Sequence, residues 1–243
     1  APGRCGSAPA STAAARRGLE LYLAGRRLSK LEQTRSGLGP GAIAHCIEAD
    51  VTTPEGRQAI RQALGSRNGG LDILVNNAGA MFNGDLHEND DAEVSRMVET
   101  NLVAPTLLTR DLLPLLKRAA RPRIVNVGSV YGDIAAPGFA VYAATKFGLR
   151  GLSDALRREL ASEGIGVTYV APRATRTEGV EPMSEALQRQ GIAFDEPAKV
   201  AKWIWAAVEK EKRSAYPPSA ERFFVALQRV FPALIDRSLA KRS

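Results

Sequence analysis

The feature that most narrows the fold is an alternation repeated along the chain. Short apolar runs suited to buried strands recur at residues 19–24, 42–51, 71–75, 123–127 and 166–170. Between them lie longer stretches whose apolar residues recur at helical spacing. The run at 71–75 is of the type buried on both faces, as in a parallel sheet. Strand–helix alternation predicts one doubly wound α/β domain, a parallel sheet with helices on both faces in three layers. The 243 residues suffice for one such domain with a full core.

Helices are predicted over 29–36, 55–64, 90–117, 142–163 and 196–212. Pro105 and Pro114 are expected to interrupt the third. Ser11 or Thr12 is expected to cap a short helix through Arg17, which Gly18 ends. In the helix at 142–163, Phe147, Leu149, Leu152, Leu156 and Leu160 form an apolar stripe that reads as core or subunit interface. In the tail at 221–243, Phe223, Leu227, Val230, Phe231, Leu234 and Ile235 fall near helical spacing, with Pro232 as a kink or a second helix start. This predicts an amphipathic segment that covers apolar surface.

The chemistry concentrates at residues 129–146. A strand ends just before Gly128-Ser129, and Tyr142 and Lys146 open a helix. Four apart, they share one helix face with Cβ atoms about 6 Å apart. A phenol with its ordinary pKa near ~10 is a poor base at neutral pH. A cation beside it favours the phenolate and lowers that pKa. Such a tyrosine exchanges a proton with a substrate alcohol or carbonyl. A serine hydroxyl from the neighbouring strand end holds the same oxygen. Tyr-x-x-x-Lys alone is equally a half-buried ring and a solvated amine, so the rest of the chain decides.

That rest includes Asn76-Asn77-Ala78-Gly79 after a strand, Asn101 inside a helix, and Pro172 to Thr177 after another strand. In this order and spacing the set resembles the short-chain dehydrogenase/reductase family, over about residues 13–212. The resemblance implies hydride transfer between NADP(H), in preference to NAD, and an alcohol or carbonyl. It implies that Tyr142 is the proton donor or acceptor and that Ser129 orients the substrate oxygen. Lys146 would lower the tyrosine pKa and hold the nicotinamide ribose, and Asn101 would position a relay water. Gly25-Arg26-Arg27 follows the second strand of such a fold, where an acid binds the ribose of NAD and a base the 2′-phosphate of NADP. Gly25 stands at the acidic position, so Arg26 and Arg27 read as an NADP site. Asp50 and Val51 would meet the adenine. Asn77, Ala78 and Gly79 would border the nicotinamide ribose, and Pro172, Thr175 and Thr177 would hold the carboxamide side. Arg173 replaces the family's glycine, with a phosphate or an acidic substrate group as its expected target. Residues 178–194 correspond to a substrate lid. With Ala80 to Glu88 they are more apolar than charged, which favours a hydrophobic alcohol or ketone.

The family opens with an apolar strand leading into Thr-Gly-x-x-x-Gly-x-Gly, a loop that holds the pyrophosphate. That loop should fall on residues 1–7, where Ala-Pro-Gly-Arg-Cys-Gly-Ser stands, with Gly3 and Gly6 out of register. The expectation is a sheet without its first strand, between those at 19–24 and 71–75, and a truncated or frame-shifted start with weak NADPH binding. The rival reading is a catalytically impaired homologue with a binding or scaffold role.

Other classes find little support. The net charge of +7 is spread along the chain without a basic block or a nucleic-acid motif. The longest apolar stretch, residues 134–144, contains Pro137 and Gly138 and is too short to span a bilayer. Cys5, Cys46, His45 and His87 suggest neither a disulfide framework nor a metal site. A reducing cytoplasmic setting, no signal peptide and a homodimer or homotetramer are expected, with the tail free to touch a membrane surface.

Overall fold

The computed structural model describes residues 8–65, 69–176, 184, 188, 193–217 and 221–240. The elements run α1 (Ala8–Ala15), β1 (Leu21–Gly25), α2 (Leu28–Ser36), β2 (Ala44–Glu48), α3 (Pro54–Gly65) and β3 (Ile73–Asn76). Then come α4 (Asp91–Val98), α5 (Ala104–Leu116), β4 (Arg123–Val127), α6 (Ala140–Glu159) and β5 (Gly166–Val170). The described chain closes with α7 (Pro197–Glu209), β6 (Ser214–Ala215), α8 (Glu221–Val230) and α9 (Pro232–Ala240). All strand pairs are parallel. β1 pairs with β2, and β3, β4, β5 and β6 form a four-stranded sheet in that order. Among the described residues no strand lies between β1 and β3, which agrees with the expected gap in the sheet.

Side chains hold together what the backbone ladder does not. Successive residues of a strand face opposite sides, so Ile124 and Val125 of β4 enter different cores. One core packs α3 and α5, through Ile60, Leu112 and Leu116, on Leu74 and Ile124, and it also takes in Ala49, Tyr22 and Ile47 beside β2. The other packs α1 and α7, through Ala14, Ile204 and Trp205, on Val125 and Val170, with Leu21 and Ile73 against it. Both cores therefore span the two sheets. Trp205 Nε1 also donates to Ala10 O at 2.9 Å, tying α1 to α7.

Several local expectations change. Ser11 is not a cap but a buried residue inside α1, which already runs from Ala8. Pro105 and Pro114 do not break their helix: the run is continuous from Asp91 to Leu116, with a π-helical segment at Glu99–Val103. The strand β6 has only two residues and left no readable period in the sequence. The tail is two helices, with Pro232 opening the second as a first-turn proline can. It buries Val225 and Ile235, while Phe223, Phe224, Val230, Phe231 and Leu234 remain exposed. The apolar residues expected to cover the body thus mostly face outward. Phe147 of the α6 stripe is also exposed, while Leu149 and Leu160 are buried.

One polar ladder crosses the apolar layer. Asn76 and Asn126 lie side by side in the β3–β4 register. Asn76 Nδ2 donates to Asn126 Oδ1 at 2.8 Å and to Thr109 Oγ1 at 3.1 Å. Asn126 Nδ2 donates to Ser153 Oγ at 2.9 Å, and that hydroxyl donates to Leu149 O at 2.7 Å. The ladder fixes α6 against β3 and β4. Asn126→Ala strips Asn76 and Ser153 of a buried partner and should cost about 1–3 kcal/mol. The denaturant midpoint measures it, and an unchanged midpoint would show that the ladder does not hold α6.

Candidate active site

The end of β4 and the start of α6 bring the three expected reactive residues together. Ser129 has extended backbone angles, φ −162° and ψ 161°, and its Oγ accepts from Tyr131 N–H at 3.1 Å. This caps the single 3-10 turn Val130–Gly132. The Ser129 side chain is also hydrogen-bonded to Tyr142. Lys146, one helical turn on and buried, places Nζ 5.6 Å from the Tyr142 ring centroid and donates to Val127 O at 3.2 Å.

Loss of water dominates the electrostatics. It pushes the Tyr142 pKa up to about 12, against the lowering effect of the Ser129 hydrogen bond, and Tyr131 adds to the rise. It pushes the Lys146 pKa down to about 8. The phenol pKa therefore lies above its ordinary value in this arrangement, not below it as expected, because desolvation of the phenolate outweighs the Ser129 hydrogen bond.

Asn101 sits in the π-helical segment. Pro105 has no N–H to offer the carbonyl four residues before it, so a regular α-helical bond there is unavailable. The helix widens instead, and Ala104 N–H donates to Glu99 O. The Asn101 amide grips Ala80 at both ends: Oδ1 accepts from its N–H and Nδ2 donates to its C=O, each at 2.8 Å. Nδ2 also donates to Thr145 Oγ1 at 3.0 Å. The side chain thus clamps the exit of β3 to α6. Asn77, Ala78 and Gly79 are exposed at that exit. A Cβ on Gly79 would lie 3.5 Å from Asn101 Oδ1 and 3.8 Å from Lys146 Nζ, so this backbone borders the reactive cluster.

Arg26 and Arg27 follow β1, and Arg27 opens α2 with an extended backbone. Burial alone would raise the Asp50 pKa. The Thr52 N–H and hydroxyl, at 2.9 and 2.7 Å, and the nearby Arg26 charge more than offset that and hold it below the usual range. Val51 packs against the core, and its carbonyl accepts from Arg57 Nη1 at 3.4 Å. Arg26 thus lies close enough for its charge to act on the Asp50 carboxylate.

On the opposite side, Pro172 O accepts from Val130 N–H at 3.1 Å, and Thr175 forms a β-bridge with Asp195. Thr177 and most of the expected lid at 178–194 lie outside the described residues. Arg173 does not present its fork to a ligand as expected. Nε and Nη2 donate to the two Asp195 carboxylate oxygens at 2.7 and 2.8 Å. A planar guanidinium matches a carboxylate in this two-point geometry. Among the described residues Glu211 is the one non-glycine with positive φ, so Arg173 takes the glycine's place without left-handed strain.

Sequence reasoning missed two buried residues. Tyr169 lies under the Ser129 turn, and nothing in a strand sequence distinguishes it from an ordinary packed ring. Asp133, at the end of that turn, is buried and pairs with Arg150 of α6 and Arg229 of α8, and accepts from Tyr216 Oη at 2.9 Å. Its signal was a carboxylate shortly after the serine, with partners that are distant in sequence.

A doubly wound parallel sheet with Ser129, Tyr142 and Lys146 gathered at a strand's carboxyl end defines the short-chain dehydrogenase class. The short chain dehydrogenase family profile matches residues 6–188, and the chain belongs to that family. It is 32% identical over 177 residues, 72% of each chain, to an uncharacterized oxidoreductase of Staphylococcus saprophyticus. It is 37% identical over 149 residues, 61% of each chain, to the 3-oxoacyl-(acyl-carrier-protein) reductase of Vibrio cholerae. Among solved structures, a short-chain dehydrogenase from Sphingobium yanoikuyae in complex with NADPH superimposes with a TM-score of 0.78 at 28% identity. That match covers 96% of this chain and 91% of the other.

The Asp133 cluster carries the prediction of this section. Removing both cations, Arg150→Ala with Arg229→Ala, leaves a buried carboxylate without a counter-charge and should cost about 3–5 kcal/mol. Adding Asp133→Asn removes the stranded charge and should recover much of the loss in the denaturant midpoint. No recovery would mean that the arginines act through packing alone.

Proposed function

We propose that the protein is an NADP(H)-dependent oxidoreductase that moves a hydride between the nicotinamide and the carbon of a hydrophobic alcohol or carbonyl compound. The observation that carries this reading is the cluster of Ser129, Tyr142 and Lys146 at the end of β4, beside the exposed backbone of Asn77 to Gly79. The residues suit the cofactor. Small side chains at the β3 exit permit close approach, and Lys146 borders that exit. Gly25 with Arg26 and Arg27 supplies cations, not a carboxylate, where a 2′-phosphate would lie. The NADPH named for the Sphingobium relative supports the same choice over NAD.

Bound NADPH supplies the hydride. Tyr142, neutral across the physiological range, donates the proton that the substrate oxygen gains during reduction. Ser129 holds that oxygen with its hydroxyl. Lys146, charged in most molecules at neutral pH, steadies the phenolate left behind and reaches the ribose. Asn101 positions a relay water through its main-chain carbonyl, its side chain being engaged with Ala80 and Thr145. Asp50 and Val51 meet the adenine, and Pro172, Thr175 and Thr177 the nicotinamide side.

The substrate class rests on the walls of the site. Met81 and Phe82 are partly buried, and Phe139 packs on Tyr131 at 4.8 Å between ring centroids. The 3-oxoacyl reductases among the relatives are named for a carbonyl substrate on an acyl chain, which agrees with an apolar site. The same reading takes the protein as a cytoplasmic homodimer or homotetramer. Exposed Phe147 on α6 supports a subunit contact, and exposed Phe223 and Phe224 of α8, Phe231 between the two tail helices and Leu234 of α9 support a contact with a sister subunit or a membrane surface. Among the described residues no helix is long and apolar enough to cross a membrane.

Two substitutions test the reading, with NADPH oxidation followed over a panel of aliphatic and aromatic ketones. Tyr142→Phe should lower turnover by about 10²–10⁴-fold while NADPH binding stays close to the parent. Turnover within a few-fold of the parent would sink the assignment. Arg26→Asp should weaken NADPH far more than NADH, because only NADPH carries the 2′-phosphate. Equal losses would make Arg26 structural. That no strand lies between β1 and β3 among the described residues favours, as a second reading, a homologue that no longer binds cofactor, and a folded chain that fails to bind NADPH would decide for it.

A further inference from the structure

We propose that Tyr169 is a positioning residue for Ser129: its phenol, buried beneath the turn after β4, holds both main-chain groups of the serine and so aims the serine hydroxyl. The inference rests on the catalytic reading of Ser129 and adds a residue to it.

Tyr169 belongs to β5 and is 1% exposed. Its Oη donates to Ser129 O at 3.1 Å and accepts from Ser129 N–H at 3.3 Å. One hydroxyl thus satisfies the amide and the carbonyl of the same residue. The neighbouring amides have other partners: Gly128 N–H donates to Val170 O at 2.7 Å and Val130 N–H to Pro172 O at 3.1 Å. The main chain therefore leaves β4 held at three successive amides, and the middle one depends on a side chain.

The two glycines around the serine follow from the same ring. A Cβ on Gly128 would come within 2.2 Å of the Tyr169 ring and hydroxyl, and one on Gly132 within 2.2 Å of Oη. Real Cβ contacts do not come that close, so the ring and both glycines form one fitted unit. With φ and ψ of Ser129 set from below, its Cβ has one direction, and Oγ meets Tyr131 N–H and Tyr142 together. Desolvation keeps the Tyr169 phenol above its ordinary pKa, and the charges of Asp133 and Tyr216 push the same way, so the donor to Ser129 O keeps its proton at working pH.

Tyr169→Phe leaves the ring under the glycines and removes only the oxygen. In the parent background kcat on the best ketone of the panel should fall about tenfold, with the NADPH dissociation constant unchanged. In a Ser129→Ala background the same substitution should change kcat by less than about twofold, because no hydroxyl remains to be aimed. An equal loss in both backgrounds, or no loss in the parent, overturns the proposal. Parental turnover by Ser129→Ala itself would instead overturn the catalytic reading on which it rests. Rates are compared at a temperature where circular dichroism shows every chain folded. If Tyr169→Phe does not fold, Gly128→Ala, whose added Cβ has the Tyr169 ring and hydroxyl as its nearest neighbours and so displaces the phenol without deleting it, should show the same dependence on Ser129, and a loss independent of Ser129 overturns the proposal. Amide exchange gives a readout free of any substrate: Ser129 N–H should exchange as slowly as β4 in the parent and faster in Tyr169→Phe, and an unchanged rate counts against the hydrogen bond.

Discussion

The docking of α6 on β4 is the constraint on which the rest of the site depends. Tyr142 and Lys146 ride on α6, Ser129 on the chain leaving β4, and they meet only in one register of helix on strand. Apolar packing alone tolerates small slides, because dispersion contacts are many and undirected. Directed hydrogen bonds in a dry interior do not, since a shift leaves buried polar groups unpaired. Ser153 and Asn126, both fully buried, supply that direction, and Asn76 extends it to the neighbouring strand. Lys146 adds a further tie through Val127 O.

A second network locks the loops around that register. Asn101 fastens the β3 exit to α6 through Ala80 and Thr145. Asp133 gathers α6, the segment after β6 and α8 around one buried carboxylate. The tail is therefore tied to the turn that bears Ser129, although its large apolar side chains face away from the body. Arg173 and Asp195 show the same economy: the residue in place of a family glycine pairs with a carboxylate 22 residues further on, at ordinary backbone angles.

The two sheets lack a shared backbone ladder between β1 and β3 among the described residues, yet they share both apolar cores. Burial of apolar area is non-directional, so helices lying across a seam can hold two sheets in place without inter-strand bonds. Parallel strands with covered faces suit this arrangement, because their side chains serve both layers.

How much of this was legible follows from the range of each interaction. The strand runs, the helical spacing and the order Asn76 to Gly79, Asn101, Ser129, Tyr142 and Lys146 are local, and by themselves they determined the fold class and the family. Element ends shifted by a few residues because caps and hydrogen bonds, not periodicity, set them. The π-helical turn was half legible: Asn101 and Pro105 marked a disturbance, but only the fold showed a widened helix instead of a break. The pairings Arg173–Asp195, Asp133–Arg229 and Tyr169–Ser129 join residues far apart in the chain, and no spacing rule reaches them. The same holds for the pKa values of Tyr142 and Lys146. Sequence showed that a cation follows a phenol by one helical turn, but the balance between charge and lost water was decided by burial, which exists only once the layers close.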